Sequence, residues 1–109
     1  MTDMEQRDID INTQIILFDE RCDEATKKMA KLAEKIGMNA SLLEAVEGML
    51  KENRANGGQW GEALLILEQK LVEEKNSLIK QKEGLFAQKV GYYEMAEKLR
   101  NNQQLELNL

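Results

Sequence analysis

The chain has 109 residues, of which 32% are charged and 42% hydrophobic; it contains no proline and carries a formal net charge of −5. This length corresponds to one domain at most, and a proline-free sequence dominated by Glu, Lys, Leu, Gln and Ala is typical of long helices and coiled coils. We therefore predict an all-α fold. No run of about 18 apolar residues occurs, so we expect no membrane insertion.

Nucleic acid is not an expected partner of so acidic a chain. The lysines of the second half are interleaved with glutamates, which indicates a solvated, salt-bridged face. These lysines are Lys70, Lys75, Lys80, Lys82 and Lys89. The amino-terminal residues are acidic and lack the apolar core of a signal peptide. We expect a cytoplasmic protein before any export, and a secretion route that needs no cleaved signal.

Catalysis is not expected from this set of residues. The sequence has no histidine and one cysteine, so it lacks the usual general base and the commonest metal ligand. Cys22 lies on the apolar seam described below, where a buried, unreactive thiol is the simpler interpretation. Gly57-Gly58 is not followed by the Lys-Ser/Thr of a phosphate-binding loop. We predict a non-enzymatic protein with no cofactor and no metal.

The first half of the chain carries one apolar seam. From Ile11 to Leu50 the apolar positions recur in alternating steps of four and three residues, which places them on one narrow face of a helix. We predict helix 1 over about residues 12–54, with Asn12 or Thr13 capping its first turn.

Gly37 is the one doubtful position in helix 1. Ser41 followed by Glu44 has the pattern of a capping box, which would start a new helix. The heptad phase nevertheless continues through Gly37-Met38-Asn39. We therefore favour one helix, kinked or loosened near Gly37, and two separate helices are the alternative.

A glycine-rich turn separates two arms of similar length. Ala55-Asn56-Gly57-Gly58-Gln59 is strong turn chemistry, because glycine adopts positive φ without steric cost. We predict a turn at 55–60, helix 2 over about 60–101, and an antiparallel, coiled-coil-like helical hairpin. The ends, residues 1–9 and 101–109, are expected to be flexible.

Helix 2 carries paired apolar residues at intervals of seven, which indicate a left-handed supercoil around a neighbour. The pairs are Leu64-Leu65, Leu71-Val72, Leu78-Ile79, Leu85-Phe86 and Tyr92-Tyr93. They form two columns about 100° apart on the helix. We call the column of first members column 1 and the column of second members column 2. One antiparallel arm covers one column better than both, so the surplus predicts an interface with another helical protein in a helical bundle.

The identity of that partner has two interpretations. A second copy of the chain would form a homodimer, and a different helical protein would form a heteromeric complex. Asn39 lies at a seam position, where a polar residue lowers stability and selects register or partner. We include Asn39 among the predicted interface residues, and it favours the heteromeric interpretation.

Two short segments resemble one protein family. Gly57-Gly58-Gln59-Trp60-Gly61 lies at the turn, and Tyr93-Glu94-Met95-Ala96-Glu97 lies near the end of helix 2. The hairpin resembles the WXG-type small proteins of bacterial type VII (ESX) secretion, in particular those encoded beside LXG-domain toxins. The resemblance implies a targeting partner that binds the toxin's helical domain, a second small WXG-like protein, or both, and that helps the toxin's export. It also implies that Trp60 and Gly61 form a turn motif and that Tyr93 and Glu97 form an export signal.

Two other functions fit the same sequence features. The chain could act as a cytosolic chaperone or assembly adaptor of an unrelated system, such as type III secretion or a phage. It could also be a structural coiled coil that associates with itself.

Overall fold

The fold is a pair of antiparallel helices joined by a short turn. The structure is a computed structural model that describes residues 3–107, and the side chains of residues 3–102. Helix α1 spans Asp3–Ala55 and helix α2 spans Gly61–Leu107. The described residues contain no strand. The predicted all-α helical hairpin is confirmed.

The contacts divide the hairpin into two compact units, whereas the sequence predicted one domain. The turn-proximal unit comprises Ala30–Glu83. The terminal unit comprises the described parts of Met1–Met29 and Gly84–Leu109. Each unit contains one segment of α1 packed against one segment of α2.

In the turn-proximal unit the core is a small apolar cluster between the two helices. Leu43, Val46 and Leu50 of α1 pack with Leu71 of α2, and Leu64 packs against this group. The three α1 residues occupy the steps of three and four that the seam predicted. Leucine and valine at these positions form one apolar stripe, which fixes the face that α1 turns toward α2.

In the terminal unit the same seam is less completely buried. Ile15 and Ala25 are buried, and the ring of Phe18 stacks on that of Tyr92 with 6.2 Å between centroids. The guanidinium of Arg21 lies 5.6 Å from the centroid of the same tyrosine ring, within the range of a cation–π contact. Aromatic packing therefore adds to the aliphatic packing of this unit.

Two glycines and one asparagine build the turn. Gly57 and Gly58 have φ angles of 102° and 75°, as the sequence predicted. The Gly58 N–H donates to the Asn53 carbonyl at 2.7 Å, which is the long hydrogen bond of a Schellman helix end. The Asn53 side-chain oxygen accepts the backbone N–H of Trp60 at 2.9 Å. Asn53 thus satisfies polar groups on both sides of the turn.

Both helices are longer than the sequence predicted. Helix α1 begins at Asp3, and Asp3 and Glu5 place negative charge in its first turn, where the helix dipole favours it. Thr13 does not cap the helix, because its hydroxyl donates to the Ile9 carbonyl at 2.9 Å inside the helix. Helix α2 continues past its predicted end at residue 101 to Leu107, and residues 102–107 contain no glycine or proline.

The predicted flexibility of the ends stays a prediction. The described parts of 1–9 and 101–109 are helical. Residues 1–2 and 108–109 lie outside the described residues.

Helix α1 is continuous through Gly37, as the unbroken heptad phase predicted. The Ser41 hydroxyl donates to the Gly37 carbonyl at 3.2 Å, a bond to residue i−4 that belongs to a helix interior and not to a cap. The alternative of two helices that separate near Gly37 is therefore wrong.

The turn geometry predicts opposite effects for two glycine-to-alanine substitutions. Gly58→Ala should lower the free energy of unfolding by about 1–2 kcal/mol, because alanine is strained at positive φ. Gly48→Ala should raise it by about 0.5–1 kcal/mol, because Gly48 lies within α1 with open space around the added methyl group. Urea unfolding followed by circular dichroism measures both. Equal effects of the two substitutions would contradict this account of the turn.

Candidate partner interface

Column 1 of α2 belongs to the hairpin itself. Leu71 is 8% exposed and Leu78 is also buried, whereas Leu85 and Tyr92 are half-buried. These residues were predicted to contact a partner together with column 2. Because they lie against α1, the surface that remains for a partner on this face is smaller than the sequence predicted.

Column 2 remains exposed after the two helices have packed. Val72 is 41% exposed, against 8% for the preceding Leu71. Leu65 and Phe86 are at least half exposed, and Tyr93 is 58% exposed. Ile79 is half-buried. The prediction that one arm covers one column better than both therefore agrees with these exposures.

A row of charged residues separates the two columns on α2. Lys75 follows Leu71 by four residues and Val72 by three, so it lies between the columns. The same spacing places Glu68, Lys82 and Lys89 in this row, and all four side chains are half-buried. The sequence had indicated a salt-bridged face, but none of these three lysines forms an ion pair with a described side chain.

The sequence interpretation took these lysines as part of a solvated face, because it looked for the seven-residue period only among apolar residues. The signal was present, since Glu68, Lys75, Lys82 and Lys89 recur at intervals of seven in phase with the columns. Long lysine side chains cover apolar surface with their methylene groups while the ammonium group reaches toward water. The row therefore completes the packing of α2 on α1 without apolar residues.

Asn39 lies inside the hairpin and not on its surface. Asn39 is only 3% exposed, and its Nδ2 donates to the Leu71 carbonyl at 2.9 Å. Its Oδ1 is buried and has no hydrogen-bond partner. An unsatisfied buried acceptor lowers the free energy of unfolding. The hydrogen bond that Asn39 donates favours one register of α1 against α2.

The turn motif residues lie side by side but differ in exposure. Trp60 is 66% exposed, and its ring borders an open cleft with Met49, Asn53 and Leu64. Gly61 is half-buried. The turn is held by the Asn53 side chain, so the exposed indole of Trp60 is free to contact another molecule.

The two residues of the predicted export signal have different surroundings. Tyr93 is exposed, whereas Glu97 accepts a hydrogen bond from Arg100 Nη1 at 3.0 Å. The other nitrogen of Arg100, Nη2, pairs with Asp19 of α1. Desolvation lowers the pKa of Arg100, but the hydrogen bond to Glu97 and the charge of Asp19 outweigh it and raise that pKa above its ordinary value. Glu97 is therefore held by a permanently charged partner.

Three further features of the described residues concern the Cys22 thiol, metal binding and membrane spans. The Cys22 thiol is half-buried and donates to the Lys89 carbonyl at 3.4 Å. No group of three acidic, cysteine or histidine side chains within residues 3–102 is placed to hold a metal ion. Neither described helix has a stretch long and apolar enough to cross a membrane.

Comparisons with known proteins do not assign the chain to a family, so the resemblance to WXG-type proteins stays a prediction. No protein-family model, no curated protein and no solved structure matches it. The exposed column 2 is the candidate site that the fold itself provides.

Asn39 gives a prediction about the free energy of unfolding. Asn39→Leu should raise the free energy of unfolding by about 1–2 kcal/mol, because leucine removes an unsatisfied buried oxygen and adds apolar burial. The matched control is Asn76→Leu at an exposed position of α2, which should change it by less than about 0.5 kcal/mol. Thermal unfolding compares the two variants. A destabilised Asn39→Leu protein would show that the asparagine contributes net stability.

Proposed function

We propose that the chain is a non-enzymatic adaptor that binds a helical domain of another protein through column 2. The single observation that supports this proposal is the exposure of column 2 while column 1 is packed on α1. Large apolar side chains contribute about 1.5–3 kcal/mol each when they are fully buried. Regularly spaced exposed residues of this kind favour a partner over isolated surface exposure.

The regular spacing also indicates what kind of partner fits. Val72, Phe86 and Tyr93 are exposed at multiples of seven residues along one face of α2. A helix packed at a small crossing angle meets residues at this interval. The partner is therefore a helix or a helical hairpin, and the complex is a helical bundle.

Within this class we propose a targeting partner of a type VII secretion substrate, an LXG-type toxin. The turn motif at Trp60 and Gly61 and the pair Tyr93 and Glu97 support this assignment. The large exposure of both aromatic side chains suits residues that another protein recognises. The protein would reside in the cytoplasm before export and leave with its substrate by a route that needs no cleaved signal peptide.

Co-expression with the helical domain of an LXG-type toxin tests the adaptor function. A stable complex should co-purify, and Phe86→Glu should weaken it at least about tenfold because a charge replaces a buried aromatic ring. Ala87→Glu is the matched control, since Ala87 is the next, exposed residue outside column 2. Isothermal titration calorimetry measures both. Equal weakening by the two variants, or no complex at all, would refute the proposal.

Export is tested separately from binding. Glu97→Ala should leave the complex intact and reduce the amount of protein in the culture medium, because the carboxylate would be read by the secretion machinery. Glu94→Ala changes an exposed glutamate of α2 three residues before Glu97 and should leave export unchanged. Quantitative immunoblotting of medium and cells gives the result. Unchanged export of the Glu97 variant would remove that residue from the signal.

A cytosolic chaperone and a self-associating coiled coil predict other outcomes. A chaperone of another secretion system stays in the cell when its partner leaves, so its presence in the medium without lysis contradicts that function. A structural coiled coil forms a stable homodimer, which light scattering on the isolated chain detects.

A further inference from the structure

The charged row of α2 in the turn-proximal unit restricts which partner can cover column 2. Lys75 and Lys82 lie one helical turn from Val72 and Ile79 and are half-buried before any partner binds. Neither ammonium group forms an ion pair or hydrogen bond with a described side chain. A partner that covers column 2 would remove water from these two ammonium groups, and no described side chain of the hairpin pairs with them.

The α1 side of this surface leaves room for an incoming helix. The hydrogen bond between Asn39 and Leu71 joins α1 to α2 in this unit. Ala33 and Ala40 of α1 follow seam residues by one position, as Val72 and Ile79 follow column 1 on α2. In an antiparallel pair such positions lie on the same side of the interface, and both alanines are exposed. No large α1 side chain is therefore available at these two positions to cover the lysines.

Glu68, the first member of the row, has a different environment. It borders a small open cleft together with Glu47, Lys51 and Arg54. Cations of α1 therefore lie near Glu68, whereas no acidic side chain pairs with Lys75 or Lys82. Within the turn-proximal unit, the missing charges are thus negative, and they are missing at Lys75 and Lys82.

We propose that the partner helix on column 2 carries carboxylates seven residues apart, placed to pair with Lys75 and Lys82. Covering column 2 removes water from the half-buried lysines, and a buried cation without a partner costs free energy. Glutamates at the edge of the partner's apolar stripe compensate this cost, as charged residues do at the edges of coiled-coil seams. This inference rests on the proposed adaptor function, because it specifies the chemistry of the partner that the adaptor binds.

Two synthetic helical peptides test the proposal on the full-length chain. Both are about four heptads long with the same leucine stripe; one carries glutamate at one edge position of every heptad and the other carries lysine there. The chain should bind the glutamate peptide about tenfold more tightly, with a preference that decreases as salt is added. Fluorescence anisotropy measures both dissociation constants. Equal affinities would overturn the proposal.

A charge exchange locates the effect at the two lysines. The double variant Lys75→Glu/Lys82→Glu should reverse the preference and bind the lysine peptide more tightly. Lys70→Glu/Lys80→Glu is the matched control, because it makes the same change in net charge at exposed positions of the same helix. It should retain the preference for the glutamate peptide. A control that reverses the preference equally would show that only net charge matters, and would overturn the proposal.

Variants that retain the fold keep the test decisive. Lys75→Met/Lys82→Met removes both charges but keeps unbranched side chains that favour helix, so its helicity should match the original chain and its discrimination between the peptides should disappear. Sedimentation of the chain alone completes the test. If Lys75→Glu/Lys82→Glu dissociates a dimer and neither peptide binds the original chain, a second copy occupies column 2 and the proposal is wrong.

The two proposals fail in distinguishable ways. If the toxin domain forms a complex that Phe86→Glu weakens but the peptides bind with equal affinity, the charge inference fails and the adaptor function stands. If the chain discriminates between the peptides but forms no complex with the toxin domain, the binding chemistry stands and the proposed substrate is wrong.

Discussion

The packing of the α1 seam against one of two apolar columns on α2 is the contact on which the rest of the structure depends. Leu43, Val46 and Leu50 form their core with Leu71 of column 1. Because α1 presents a single stripe, it cannot also cover residues about 100° away on α2. The hairpin therefore closes its core and leaves column 2 outside it, and the proposed interface follows from this geometry.

The composition of α2 makes this core shallow. Between successive column 1 residues the helix places Glu68, Lys75, Lys82 and Lys89, so only every second inward position carries an apolar side chain along this stretch. No large side chain among the described residues is fully buried. Since stability depends on the apolar area removed from water, such a hairpin gains from a partner that extends the apolar contact along α2.

Heptad spacing predicted the parts of the fold that depend on local sequence. The seam from Ile11 to Leu50 and the turn at Gly57-Gly58 were predictable because apolar periodicity and positive φ are properties of short segments. The helix ends were not, because Asn12 and Thr13 cap helices well but also occur inside them. A cap preference of about 1 kcal/mol does not stop a helix whose next turn is also favourable.

The candidate site was only partly predictable for a related reason. The sequence identified both columns, but the choice between them depends on where α1 lies in space. The same applies to Arg100, which joins Glu97 on its own helix to Asp19 on the other, and to Asn39, which bonds to Leu71. These contacts connect residues far apart in the chain, and no local pattern encodes them.

The reactivity of the single thiol can report local opening of the terminal unit. Cys22 is the only cysteine of the sequence, and its sulfur lies half-buried against the Lys89 carbonyl of the opposite helix. Reagents that modify thiols reach such a sulfur faster when the two arms part there, and local openings of this kind have their own free energy. The rate of its modification thus reports arm separation at that level of the hairpin, without an introduced label.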